Sequence, residues 1–101
     1  MNIEEDNLYE AIKTAGGLLY YFHCCASHRG IPGKGHIDWI GVFKALKEIG
    51  YKKWLIIESF TLQATKEFGK QAAVWRDLAP TPDSIAEEGL KFLKSIETQV
   101  F

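Results

Sequence analysis

The sequence predicts an α/β fold with two parallel strands, in the order helix–strand–helix–strand–helix–helix. Three observations carry this expectation. Two apolar runs, LLYYFH at 18–23 and WLIIESF at 54–60, are continuous rather than alternating, as in parallel strands buried on both faces. Stretches with helical spacing of apolar residues flank both runs, and strands separated by such segments imply βαβ units. Only two runs of this kind occur in the 101 residues, whereas strands buried on both faces belong to larger sheets. The chain therefore reads as part of a larger object, with unpaired strand edges and uncovered apolar surface.

Each element has a local cause. Over 6–16, Leu8, Ala11, Ile12 and Ala15 share one helical face, Asp6 or Asn7 can cap the start, and Gly16 ends it. After the first strand, GIPGKGHID (30–38) reads as a loop. Asp38 is a candidate N-cap for a second helix with Trp39, Val42, Phe43, Leu46 and Ile49 on one stripe and Gly50 as its stop. Residues 63–79 offer an apolar helical face through Ala64, Phe68, Ala72 and Trp75. The Pro-Thr-Pro at 80–82 interrupts it, and Thr81 as N-cap with Pro82 at the first helical position starts a last helix. That helix carries Ile85, Gly89, Phe92, Leu93 and Ile96 on one side.

Composition narrows the class. With 47% hydrophobic and 25% charged residues and a formal charge of -1, the chain resembles an ordinary globular domain, and nothing points to nucleic acid or an anionic membrane. No apolar run reaches the ~18 residues of a spanning helix. The acidic MNIEED start is unlike a signal or transit peptide, so the expected location is cytoplasmic. Cys24 and Cys25 are neighbours, whose side chains point to opposite faces of a strand. They read as packing residues rather than a disulfide. The alternative, a reactive thiol, needs a positive neighbour such as His28 or Arg29.

Two polar residues stand out near the strand ends. Leu19, Tyr21 and His23 share one face of the first strand, and Trp54, Ile56 and Glu58 one face of the second. Adjacent parallel strands lie ~4.8 Å apart, so imidazole and carboxylate can converge at the C-terminal edge, where α/β folds place their sites. A glutamate in an apolar strand is costly unless paired or metal-bound. The plainer reading puts Glu58 at the wet end of its strand, or in an ion pair with Arg29. Arg29, six residues past His23, presents a fork of donors for a hydroxyl, carboxylate or phosphate. Gly30, Gly33 and Gly35 lack phosphate-loop spacing and read as turn residues.

The stretches HCCASHRGIPGKGHIDWIGVFKALKEIGY, WLIIESF and AAVWRDLAPTPDSIAEEGLKFLK together resemble the C-terminal part of the D-tagatose 3-epimerase/D-psicose (allulose) 3-epimerase family, within the xylose-isomerase-like (β/α)8 barrels. The resemblance implies a C-terminal barrel fragment, the last quarter to third, starting at a methionine internal to the family sequence. It also implies a divalent metal (manganese, cobalt or magnesium) holding two oxygens of a ketose. Two glutamates on opposite faces move a carbon-bound proton through an enediolate. By matching motif, His23 resembles a metal ligand, Arg29 a substrate contact, and Glu58 both a ligand and a proton-transfer group. The family usually has an acidic residue where this chain has Ala26. Its other glutamate, its aspartate ligand and a substrate histidine belong to earlier strands. The chain alone is accordingly expected to bind metal weakly or not at all and to be inactive. Its expected partners are further copies of itself or an N-terminal barrel portion, which would complete a split enzyme; the remaining reading is a non-catalytic oligomerising module.

Overall fold

The computed structural model describes residues 4–62 and 66–101. Its elements follow the predicted order: α1 (Leu8–Ala15), β1 (Phe22–Cys24), α2 (Trp39–Glu48), β2 (Leu55–Ile57), α3 (Lys66–Gln71) and α4 (Pro82–Val100). The strands pair in parallel, with Phe22 opposite Leu55, His23 opposite Ile56 and Cys24 opposite Ile57.

The helix ends form where side chains satisfy the free backbone donors of the first turn. Asn7 accepts from the Glu10 amide and Asp38 from the Gly41 amide. Thr81 and Ser84 form a reciprocal capping box, with Pro82 at the first helical position. Gly16 and Gly50 follow α1 and α2 with positive φ, as helix-stop glycines do. The stripe of α2 is buried through Trp39, Val42, Phe43 and Leu46, with Ala45 added. On α4 the buried positions are Ile85, Gly89, Leu93 and Ile96. These faces meet Ile12 of α1 and Cys24 of β1 in one core, with Phe22, Leu55 and Ile57 partly buried against it.

The strands depart from expectation in length and burial. Each contributes three paired residues, and a short 3-10 turn at Gly16–Leu18 takes up the start of the first apolar run. Phe22, Cys24, Leu55 and Ile57 point at the helices, while among the described residues no layer covers the other face. Tyr21 and Trp54 are therefore exposed, Trp54 to 85%, and Tyr20, ahead of the strand, is exposed as well.

The helix expected over 63–79 is also shorter. Ala64 lies outside the described residues, as does the side chain of Phe68. α3 ends at Gln71, Ala73 takes a left-handed φ of 56° that breaks the helix, and Trp75 is 74% exposed while Val74 is buried. The irregular segment delivers Ala79 to a second small core with Ile31 and Ile85. No helix among the described residues is long and apolar enough to cross a membrane.

Candidate functional site

The loop after β1 is fastened to α4. Ile31 and Pro32 are buried, and Pro32 seats over Gly89, where a β-carbon would come within 3.0 Å of its ring. Gly33, at φ 98°, lies against the Phe92 ring, which a β-carbon there would meet at 2.6 Å. Gly33 of the loop and Gly89 of α4 thus have a packing role: they let the loop press onto the helix.

This anchoring fixes the start of the loop, where the candidate residues converge. The register places His23 opposite Ile56, and Glu58 follows two residues later on the same face; its amide donates to the Cys24 carbonyl at 3.2 Å. His23 Nδ1 and Glu58 Oε2 are 3.3 Å apart, both side chains half-exposed. Arg29 Nη1 is 3.8 Å from the same oxygen. Imidazole, carboxylate and guanidinium therefore meet at the C-terminal edge of the sheet. The ion pair with Arg29 weighed in the sequence is present, but half-exposed pairs of this kind contribute only about 0–1 kcal/mol.

The cysteines separate as alternation predicts, and both are free. Cys24 is fully buried in the core, and burial, together with the neighbouring Cys25, pushes its thiol up to about 12. It stays protonated and acts as a packing residue. Cys25 turns to the site, with Arg29 Nη1 at 4.0 Å from its sulfur. His28 is instead folded against Gly30 and Gly35.

Sequence reasoning did not single out Ser59 and Phe60. The Ser59 hydroxyl donates to the Gly30 carbonyl at 2.9 Å, and the Arg29 guanidinium lies over the Phe60 ring, 5.2 Å from its centroid. Their only sequence signal was position, directly after Glu58. A cleft of about 750 Å³ runs along β1, walled by Leu8, Ala11, Ile12 and Ala15 of α1, and reaches His23, Arg29 and Glu58. Among the described residues no group of three or more His, Cys, Asp or Glu side chains gathers to hold a metal ion.

Comparison with known proteins places the fold. A family model described as xylose isomerase-like TIM barrel matches residues 1–96. The chain is 40% identical over 94 residues to a probable ketose 3-epimerase of Synechocystis sp., covering 93% of this chain and 32% of that protein. It is 43% identical over 83 residues to a D-psicose 3-epimerase of Agrobacterium fabrum, covering 82% and 28% respectively. Among solved structures, a D-allulose 3-epimerase from Methylomonas sp. superimposes with a TM-score of 0.84 at 36% identity, over 95% of this chain and 34% of that one. The chain thus spans about a third of the length of these relatives.

Proposed function

The chain belongs to the xylose isomerase-like TIM barrel family, and from that premise we propose that it supplies two strands and one side of the active site to a cytoplasmic, metal-dependent ketose 3-epimerase. The observation that carries this reading is the meeting of His23 Nδ1 and Glu58 Oε2 at 3.3 Å, with Arg29 beside them, at the sheet edge where barrel enzymes build their sites. The names of the relatives, ketose, psicose and allulose 3-epimerases, suggest the substrate class.

The residues suit the metal the family implies. Imidazole nitrogen and carboxylate oxygen are appropriate donors for manganese, cobalt or magnesium, and His23 and Glu58 would hold it from this side. Such a metal, when bound, acts as a Lewis acid on ketose oxygens. Arg29 donates to a substrate oxygen and fixes the sugar. Glu58 accepts or returns the carbon-bound proton from one face. Inversion by a two-base route needs a second base on the opposite face, and two protein ligands hold such metals weakly. The remaining groups come from the barrel's other strands, in the same polypeptide or in trans.

Manganese-loaded chain incubated with fructose, psicose and tagatose should give no epimer, and co-expression with an N-terminal barrel portion should restore metal binding that His23→Ala abolishes. Epimerisation by the isolated chain, or restored binding indifferent to His23, overturns the reading. A second reading, a non-catalytic module whose copies associate through the bare sheet face, is favoured by the exposure of Tyr21 and Trp54 on that face. A folded monomer in light scattering at micromolar concentration refutes it.

A further inference from the structure

We propose that Phe60 is a positioning residue for Arg29, carrying its guanidinium on the ring face and locking its backbone through the amide. This rests on the reading of Arg29 as a substrate contact. Arg29 has a φ of 70°, a left-handed conformation that is strained for a residue with a β-carbon and persists only where surroundings fix it. Two backbone hydrogen bonds fix it: the Arg29 amide donates to the Ala26 carbonyl at 2.9 Å, and its carbonyl accepts from the Phe60 amide at 3.2 Å. One residue further on, the Ser59 hydroxyl donates to the Gly30 carbonyl. The two residues after Glu58 thus hold the two residues of the β1 loop that aim the arginine.

The side chain is held in the same way. The Phe60 ring lies under the guanidinium, and attraction of a cation to a ring face strengthens as water is excluded. Nη1 faces the Glu58 carboxylate and the Cys25 sulfur, while Nε is buried without a hydrogen-bond partner among the described residues. A buried donor left unpaired is costly, so this fork is held out of water by its neighbours rather than by its own bonds. Phe60 accounts for that: a flat aromatic surface supports the guanidinium plane without using its donors. Because Phe60 directly follows Glu58 and Ser59, the β2 end that presents the carboxylate also sets where the arginine points.

The test uses the full chain with neither sugar nor metal. In nuclear magnetic resonance spectra, the Phe60 ring should displace the Arg29 Hδ and Hε signals upfield. Phe60→Leu, which keeps the backbone amide and the apolar bulk, should abolish most of that displacement and speed Hε exchange with solvent, with signals from α2 and α4 unmoved. Phe60→Tyr should restore both. Unchanged Arg29 signals in Phe60→Leu, or a displacement that Phe60→Tyr fails to restore, overturns the proposal. Should Phe60→Leu lose its dispersed spectrum, nuclear Overhauser effects between the Arg29 side chain and the Phe60 ring in the unsubstituted chain decide: their presence supports it and their absence overturns it. These readouts need no catalysis, so an inactive completed barrel would count against the epimerase reading alone.

Discussion

The two faces of the same two strands behave as different materials. Phe22, Cys24, Leu55 and Ile57 meet a layer of helices and share a core with Phe43 and Leu46. Their neighbours one residue away in sequence, Tyr21, His23, Trp54 and Glu58, lie on the other face, with the imidazole and carboxylate of the site among them. The helix-facing side packs on a core within this chain, whereas the other side carries aromatic bulk and charged groups that call for a second surface. In a barrel the site is built at the C-terminal ends of the strands, and here the imidazole and carboxylate lie at that end on the side turned away from the helices. A one-residue step along β1 crosses that boundary.

The largest expected effect exposes the contrast directly. Phe43→Ala, at a position 1% exposed, should cost about 3–5 kcal/mol in urea unfolding. Tyr21→Ser on the bare face should change stability by no more than about 0.5 kcal/mol. Comparable costs would mean that the bare face is covered in solution, and light scattering would show by what. Next is Gly33→Ala, where the positive φ and the Phe92 ring both oppose a β-carbon; about 1–3 kcal/mol should be lost. An unchanged urea midpoint would show that the loop does not depend on its seat on α4. The smallest effect concerns the helix side. Lys13 and then Tyr9 hydrogen-bond the Glu48 carboxylate and hold it below its ordinary range. Its contribution is present above the unfolded value near 4.5 and fades as pH falls through the lower folded one. The bond to Glu48 raises Lys13 above its ordinary 10.5, so that half of the pair is lost only as pH climbs through the higher folded value. Glu48→Gln should therefore flatten the acid limb of the urea midpoint between roughly pH 5 and 3, without altering the His23–Glu58 end.

The element order, the caps at Asn7, Asp38 and Thr81, and the convergence of His23 with Glu58 were legible in the sequence because each depends on local chemistry or on strand alternation. Burial was harder to read. A continuous run such as LLYYFH says that a strand suits burial on both faces; it cannot say that both covering layers are in the same chain, and Tyr20 and Tyr21 stand exposed. The end of α3 was missed because nothing in QAAVW announces a left-handed alanine at position 73; Val74 and Ala79 turn inward by tertiary demand. Phe60 escaped for a related reason. A phenylalanine after a strand reads as core, and its partner lies 31 residues earlier, on a loop whose direction is set by packing on α4.

The parallel pairing of β1 and β2 also limits what symmetry can do for this molecule. A two-fold axis perpendicular to the sheet, placed at the free edge of β1, keeps the faces aligned but reverses the strands, so the two His23–Glu58 sites fall at opposite ends. An axis along the strands keeps their direction but turns one sheet over, and the sites fall on opposite faces. Edge to edge, either isologous dimer doubles the half-site without joining the halves. Only an axis parallel to the strands and lying above the bare face brings two His23–Glu58 ends together; along the sheet edge, completion needs head-to-tail addition around a closing ring or a segment unlike this one.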